Sequence, residues 1–386
     1  MPTMTLRAHR VACALAALGL LLGAGHVAAG EARDCDAATT RSAPTRSDAP
    51  TLPKPAHFGA EVRAENKDEA GARWRTAFES ALTEGVPASA AVVDRHGRLS
   101  TATQGVPSDA PFQAASLTKI FTATMVLQLA DEGRLSLDAT VEEWFPAVPM
   151  AGRITIDQLL RHTSGLSVPE GDALDASYRN PRDEIARLQG SAPMFCPDSG
   201  WSYSNVGYLM LGEIIEAVDG RTLAAALKAR VSDPLDLHHT YFPEPGVHDD
   251  RVIVGRRAGE PLAAVDYASA GAAGALVSTP SDLVRFWRGV MAARVLTPGS
   301  RAKLIDTLHP VDGGKTLAYG RGVMAYFLPA NAQGDYPVLL GHSGRIDGFN
   351  AMLGYSVRDD VFFAVMSGDN AWSSENAAGE ILQALR

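Results

Sequence analysis

The sequence predicts an α/β (α+β) protein in which one antiparallel sheet, flanked by helices, is built from both ends of the chain, with a mainly helical domain inserted between them. Strand patterns occur in residues 67–115 and return in residues 255–386, whereas residues 116–254 show helical periodicity and few strand signals. The chain has 386 residues, 46% of them hydrophobic, so it can bury a large core. Small-molecule sites usually form in clefts between two such lobes, so we expect the active site at the junction.

The first predicted elements are a helix and a hairpin. From Asp68 to Gly85, apolar residues recur at spacings of three and four, which predicts an amphipathic helix that ends at the glycine. The apolar run Ala88–Val93 follows, then the polar turn Asp94–Gly97, then a return through Leu99–Thr103. This order is typical of a β-hairpin, so the sheet begins directly after the first helix.

The next segment, Ser116 to Glu132, is apolar on almost every face, which predicts a buried helix. Gly133 follows where a left-handed helix cap is expected. Shorter helical patterns occupy the rest of the middle of the chain: Ile156–Arg161, Arg182–Gln189, Val206–Val218 and Thr222–Ala229.

Strand patterns return near the C-terminus. They cover Arg321–Leu328, Tyr336–His342, Phe349–Val357 and Val361–Ser367. Asp359 and Asp360 form a predicted tight turn between the last two strands, and Ser373–Leu385 is predicted to be a helix.

The N-terminus has the pattern of a cleavable secretory signal. Arg7 and Arg10 precede an apolar run over residues 11–24, and small residues follow. We expect cleavage after about Ala29 and export to the periplasm or the medium. An uncleaved anchor is the alternative, but the run is shorter than the roughly 20 residues that span a bilayer. Residues 30–66, rich in Ala, Thr, Ser and Pro in part, are predicted to be a disordered or linker tail.

Charge and cysteine content limit the partners of the chain. Loss of Arg7 and Arg10 with the signal changes the formal charge from −9 to −11, and an acidic surface disfavours nucleic acid. No later segment is long and apolar enough to span a membrane. Cys35 and Cys196 remain in an exported chain, and the sequence leaves open whether they form a bridge. It also leaves the oligomeric state open.

Ser116 and Lys119 form the first candidate catalytic pair. Residues at i and i+3 share a helix face, so the lysine can reach the serine hydroxyl, and the helix N-terminus favours developing negative charge. The pattern Ser-x-x-Lys is common by chance, so it needs partners. Tyr203 can act as a base only if its pKa, about 10 unperturbed, is lowered by a neighbouring cation. Asn205 offers both a donor and an acceptor for a substrate amide.

The second candidate group is Gly341-His342-Ser343-Gly344, at the end of an apolar strand. Glycines at a strand edge let a ligand backbone approach, and backbone N–H groups there can complete an oxyanion hole with that of Ser116. Three other patterns are more consistent with structural roles. These are His162, the adjacent His238-His239, and Gly271–Gly274, which is expected to line the cleft or form a tight turn. No metal site and no cofactor are predicted.

In this order, Ser116-x-x-Lys119, Tyr203-x-Asn205 and His342-Ser343-Gly344 resemble the serine beta-lactamase-like family, which includes class C beta-lactamases, DD-carboxypeptidases, D-amino-acid peptidases and related esterases. The resemblance extends over residues 112–367. It implies a beta-lactamase/transpeptidase-like fold.

The resemblance also implies a role for each matching residue. Ser116 is then the acylated nucleophile, Lys119 its activator and Tyr203 a proton shuttle, with the base duty of the last two left open. The implied substrate contacts are Asn205, His342, Ser343, Gly344 and Arg345, with the backbone N–H groups of Ser116 and Arg345 binding the oxyanion.

Class C beta-lactamases have Lys-Thr-Gly where this chain has His342-Ser343-Gly344, so the resemblance favours the peptidase and esterase branches. The sequence therefore predicts an exported serine hydrolase acting on a small amide, ester or peptide, first a D-alanyl-D-alanine carboxypeptidase or D-amino-acid peptidase. A carboxylesterase or weak beta-lactamase is the alternative within the family. A non-catalytic peptide-binding or assembly protein is the alternative of another class.

Overall fold

The computed structural model describes residue 35 and residues 42–58, 61–63, 69–166, 177–311, 313, 316–328 and 338–385. The predicted signal over residues 1–29 lies outside the described residues. Within the described part, no helix combines the length and the apolarity needed to cross a membrane. The helices there are α1 Glu69–Ala81, α2 Thr118–Asp131, α3 Ile156–Arg161, α4 Pro181–Ala186, α5 Asn205–Asp219, α6 Leu223–Leu227, α7 Gly271–Gly274, α8 Pro280–Met291, α9 Pro298–Lys303 and α10 Ser374–Ala384.

The main sheet contains strands from both ends of the chain. The strands of the described residues are β1 Ala88–Val93, β2 Leu99–Gln104, β3 Phe112–Gln113, β4 Arg256–Arg257, β5 Glu260–Pro261, β6 Val277–Ser278, β7 His309–Pro310, β8 Leu317–Tyr319, β9 Met324–Phe327, β10 Val338–Ile346, β11 Phe349–Ser356 and β12 Val361–Ser367. Among these, eight form one antiparallel sheet in the order β2-β1-β12-β11-β10-β9-β8-β7. Ala88 of β1 pairs with Ser367 of β12, which confirms the prediction that the two ends of the chain share one sheet.

Helices cover both faces of this sheet. On one face, α1 packs against α10, and the buried side chains of Trp74, Phe78 and Ile381 contact the strands. On the other face, α8 lies across β1, β11 and β12, and the remaining helices pack beyond it in the larger core. Burial of each large apolar side chain contributes about 1.5–3 kcal/mol, so both faces stabilise the sheet.

Helix α8 is the main element that the sequence analysis missed. Thr279 caps it by accepting a hydrogen bond from the Asp282 N–H, and Pro280 occupies its first turn. The ring of Phe286 stacks on Phe121 of α2 with centroids 3.5 Å apart, and the indole N–H of Trp287 donates to a β10 carbonyl. Helix α8 therefore fixes α2 relative to the sheet. It lies within residues 255–386, the part of the chain predicted to belong to the sheet with its flanking helices.

The N-terminal tail is attached to the folded part. Cys35 and Cys196 form a disulfide, which answers the question that the sequence leaves open. Within the tail predicted over residues 30–66, residues 42–58 lie against the domain, and Phe58 is buried in the larger core. Ala43 and Phe58 are the buried residues of this stretch, and its other residues are exposed or half-buried.

Candidate active site

Ser116 lies in a tight turn at the start of α2. The residues Ala115–Leu117 form a short 3-10 turn, and α2 begins only at Thr118, two residues later than predicted for the helix. Ala115 has φ 49°, in the left-handed region that costs a non-glycine residue roughly 1–3 kcal/mol. The Thr118 hydroxyl holds the turn because it donates to the Ala115 carbonyl at 2.6 Å and accepts from the Leu276 N–H at 3.1 Å. The turn presents a partly exposed Ser116 at the junction of helices and sheet.

Lys119 lies beneath Ser116 and is fully buried. Its Nζ lies 3.2 Å from Ser116 Oγ, and it donates to Asn205 Oδ1 at 2.9 Å and to the Ala273 carbonyl at 2.6 Å. Burial lowers the pKa of Lys119 well below its usual value of 10.5, because an ammonium loses its hydration there.

The low pKa of Lys119 favours its neutral amine form, and this form accounts for its three contacts. A neutral amine has two N–H donors and one lone pair. The donors fit the oxygens of Asn205 and Ala273, which leaves the lone pair directed to the Ser116 hydroxyl. In that state Lys119 can accept the proton of Ser116 during attack, as a general base requires.

Tyr203 has its hydroxyl buried at the site. Burial raises the pKa of Tyr203 above its usual value of 10, although the neighbouring Ser116 hydroxyl partly offsets this. The Tyr203 hydroxyl meets no hydrogen-bond partner in standard geometry within the described residues. This rise in the pKa of Tyr203 is opposite to what a base requires, since a tyrosine acts as a base only when a neighbouring cation lowers its pKa. In the free protein Tyr203 is therefore a protonated phenol, suited to donating a proton to a leaving group.

The loop before Tyr203 is held by His162. The Ser204 N–H donates to His162 Nδ1 at 3.1 Å, and the imidazole ring lies 4.4 Å from the Tyr203 ring between centroids. Burial, with the charge of Lys119 as a second cause, lowers the pKa of His162 well below 6.5. His162 is thus a neutral ring that orients the tyrosine segment.

His342 is buried in β10 behind the site. Its Nδ1–H donates to the Ser343 carbonyl, so its Nε2 is the acceptor for the Tyr319 hydroxyl at 3.0 Å. Burial, and secondarily Lys119, lowers the pKa of His342 to about 3. The ring is therefore uncharged at neutral pH, and both of its nitrogens are bonded within the protein. Its predicted substrate contact would require one of these bonds to be replaced.

The second half of β10 presents a free edge to Ser116. Pairing between β9 and β10 ends at Gly341, whereas pairing between β10 and β11 continues to Ile346. In a hairpin closed by a two-residue turn the flanking pair is hydrogen-bonded, and pairs alternate from there. Arg345 is then in a non-hydrogen-bonded pair with Asn350, so its N–H and C=O point to the open edge. An oxyanion can be bound there by the N–H groups of Arg345 and Ser116.

Gly344 makes the closest approach between the sheet and the Ser116 turn. A Cβ atom at this position would lie 2.9 Å from both the Ala114 carbonyl oxygen and the Ser116 nitrogen. Only glycine fits without a shift of the nucleophile turn. The other predicted binding residues surround this gap: Asn205 is exposed, the Ser343 side chain is mostly buried, and the Arg345 side chain is 40% exposed.

Replacing Gly344 with alanine is expected to lower kcat/KM about 100-fold or more, because the new methyl group displaces the Ser116 turn by a fraction of an ångström to an ångström. Ester hydrolysis and the melting temperature should be measured together. Gly299→Ala is the matched control, since its Cβ would meet only Thr297 Oγ1, at 3.8 Å. An unchanged kcat/KM in the Gly344 variant would contradict the proposed contact.

Three residues of the site had weak or no sequence signals. Ala273 supplies the carbonyl bound by Lys119, within the Gly271–Gly274 stretch that was expected to line the cleft. Tyr319 bonds His342, and nothing in its local sequence indicates this. At Gly322, φ is 72° and a Cβ would lie 2.8 Å from the Lys119 carbonyl oxygen, so only glycine fits behind α2. No group of three or more His, Cys, Asp or Glu residues in the described ranges could hold a metal ion.

A serine next to a buried lysine, at the junction of an antiparallel sheet and a helical layer, defines a serine hydrolase. Comparison with known proteins gives the family. The family model described as Beta-lactamase matches residues 74–386, so the chain belongs to the Beta-lactamase family. The predicted resemblance and fold class are thereby confirmed.

Individual relatives differ in activity. Penicillin-binding protein 4 of Amycolatopsis lactamdurans is 32% identical over 258 residues, 60% of this chain and 66% of that protein. Esterase EstB of Burkholderia gladioli is 34% identical over 201 residues, 44% of this chain and 51% of that protein. The chain thus spans about half to two thirds of the length of these curated relatives. A solved structure, the D-stereospecific amidohydrolase from Streptomyces sp., is 27% identical with a TM-score of 0.70, covering 80% of this chain and 97% of that chain.

Proposed function

We propose that the protein cleaves amide or ester bonds on the carbonyl side of a D-amino-acid residue through an acyl-enzyme on Ser116. The observation that carries the mechanism is the buried Lys119, whose amine lies 3.2 Å from Ser116 Oγ and has a lowered pKa. The D-preference is supported by the similarity to the D-stereospecific amidohydrolase. D-amino-acid peptidase and D-alanyl-D-alanine carboxypeptidase activities both fall within this class.

The proposed reaction has two steps. Ser116 Oγ attacks the carbonyl carbon while its proton passes to Lys119, and the N–H groups of Ser116 and Arg345 bind the oxyanion. The bond from the carbonyl carbon to the leaving group breaks as Tyr203 donates its proton to that group. Water then attacks the carbonyl carbon of the acyl-enzyme, and one of its protons passes to the Lys119 and Tyr203 pair. The bond from that carbon to Ser116 Oγ breaks, and the pair returns a proton to Ser116. Asn205, whose Oδ1 is bound to Lys119, retains its amide N–H groups for the substrate.

A second candidate is a carboxylesterase, which the similarity to Esterase EstB favours. Efficient beta-lactam hydrolysis is less favoured. His342 replaces the lysine of Lys-Thr-Gly, and a neutral ring with a pKa of about 3 offers no cation to the carboxylate of a beta-lactam. We expect slow acylation by penicillins with little turnover. Export of the mature chain, to the periplasm or the medium, is also part of the proposal and depends on the signal pattern.

The proposal is tested with the two enantiomers of one substrate. Hydrolysis of N-acetyl-D-alanine p-nitroanilide should exceed that of the L-enantiomer by at least about tenfold, since stereospecific contacts contribute on the order of 1–3 kcal/mol. Short p-nitrophenyl esters and nitrocefin complete the panel. Rapid ester hydrolysis with no turnover of either anilide would replace the D-peptidase assignment with the esterase.

A further inference from the structure

An ion pair lies beside the free edge of β10 and has no role in the mechanism above. The Arg345 guanidinium is 3.7 Å from Glu375 Oε2, in the first turn of α10. The arginine side chain is 40% exposed, whereas that of Glu375 is only 2% exposed. The Ser373 hydroxyl donates to the same carboxylate oxygen at 3.1 Å. Glu375 is therefore a buried acid held in place beneath an exposed base.

Strand geometry puts this pair on the side of the site where the leaving group departs. Side chains alternate along a strand, so Arg345 and Ser343 share one face of β10. Ser343 Oγ is 3.9 Å from the sulfur of Met324, which also accepts from the Tyr326 hydroxyl at 2.9 Å. Burial raises the pKa of Tyr326, and the nearby Glu375 carboxylate adds to the rise. Glu375, Tyr326 and Ser343 thus belong to one neighbourhood.

The same neighbourhood contains the proton donor to the leaving group. Tyr203 packs against the apolar cluster that contains Met324 and Tyr326. The Tyr203 ring also lies 6.3 Å from that of His342, so it is close to the strand that carries Ser343 and Arg345. A leaving group that takes its proton from Tyr203 therefore departs towards Ser343 and the Arg345 pair.

The charge states of His342 and Lys119 determine which cation at the site a substrate carboxylate can meet. His342 is neutral, and burial favours the neutral form of Lys119. Among the described side chains around Ser116, Arg345 is then the cation available to a substrate carboxylate, and its ion pair with Glu375 already neutralises it. A second carboxylate at Arg345 would lie close to the first one. Two like charges at such distances repel, and a buried charge is little screened by salt.

We propose that Glu375, by occupying Arg345, makes the enzyme select substrates with uncharged leaving groups, such as an amide, an alkyl ester or a continuing peptide, over substrates that end in a free carboxylate. The inference rests on the proposed function and narrows it. It favours amidase, peptidase or esterase activity over carboxypeptidase activity at the same Ser116 site.

The test compares two acetate esters that share the acyl group and differ in the charge of the leaving group: phenyl acetate and 3-carboxyphenyl acetate. For wild type, the ratio of kcat/KM for the charged ester to that for the neutral ester should be about 0.1 or lower. Glu375→Gln keeps the size of the side chain and an acceptor for Ser373, and it should raise the ratio at least about tenfold. The same comparison is repeated with N-acetyl-D-Ala-D-Ala and its C-terminal amide.

Two further variants complete the design. Glu380→Gln removes the same charge from another position of α10 and should leave the ratio within about twofold of wild type. Arg345→Gln leaves Glu375 without its partner and should lower the ratio further, so the inference stays testable if Glu375→Gln does not fold. A wild-type ratio near one, or equal ratios in wild type and a folded Glu375→Gln, would overturn it.

The outcomes separate this inference from the proposed function. Discrimination between the two esters with no preference between D- and L-anilides supports the role of Glu375 and contradicts only the D-specificity. A D-preference with a wild-type ester ratio near one contradicts only the role of Glu375. No hydrolysis of any ester or amide contradicts both.

Discussion

Replacing Ser116 with alanine is expected to lower kcat/KM for ester or amide substrates by about 10⁴- to 10⁶-fold, the range seen when the nucleophile of a serine hydrolase is removed. The reason is that, of the three groups bonded to Lys119 Nζ in the described part of the chain, only Ser116 is a hydroxyl, the others being the oxygens of Asn205 and Ala273. Rates should be measured alongside mass spectra after exposure to a fluorophosphonate or a penicillin. Wild type should carry one adduct on Ser116, and the variant none.

Ser80→Ala is the matched control, because Ser80 is exposed on α1 and its hydroxyl only bonds a carbonyl of its own helix. It should keep both rate and adduct. Equal background rates in wild type and Ser116→Ala would instead favour the non-catalytic alternative, in which the cleft binds a peptide. The buried Lys119 argues against that alternative, since desolvating an amine is costly and a binding cleft gains nothing from it.

Local sequence patterns predict elements that depend mainly on local interactions. Helix α3 has the predicted bounds because Thr155 and Gln158 form a capping box at its start. Strand β12 also has the predicted bounds, since the continuous apolar run Val361–Ser367 follows a turn, which covers residues 357–360 and not only the predicted Asp359 and Asp360. The spacing of Ser116 and Lys119 likewise predicts their contact, because residues at i and i+3 are neighbours on one face of both the 3-10 and the α-helix.

Contacts between distant parts of the chain could not be predicted in this way. The carbonyl that Lys119 binds lies 154 residues away at Ala273, and no local pattern marks it. The upward shift in the pKa of Tyr203 depends on how completely tertiary packing excludes water from its hydroxyl. Family resemblance identifies which residues gather at the site, but their protonation states follow only from the packing.

A substitution of Lys119 tests whether Lys119 or Tyr203 is the general base. Lys119→Met keeps the length of the side chain and removes the base, so kcat/KM is expected to fall by about 10³- to 10⁴-fold at neutral pH. In wild type, kcat/KM should rise with pH as Lys119 loses its proton, below the usual value of 10.5, and should decline only once Tyr203 ionises, above 10. A profile that rises only near pH 10 would indicate an unperturbed lysine.

The same variant has a signature in stability. The pKa of Lys119 is lower in the folded protein than in the unfolded chain, so between the two values the unfolded chain binds more protons. The free energy of unfolding of wild type should therefore rise with pH through this window, and Lys119→Met should lack that part of the slope. Urea unfolding of both proteins between pH 7.5 and 9.5 measures the difference, and the raised pKa values of the buried tyrosines affect both proteins alike above pH 10. Parallel slopes would mean that Lys119 stays charged when folded, in which case Tyr203 would have to supply the base despite its buried hydroxyl.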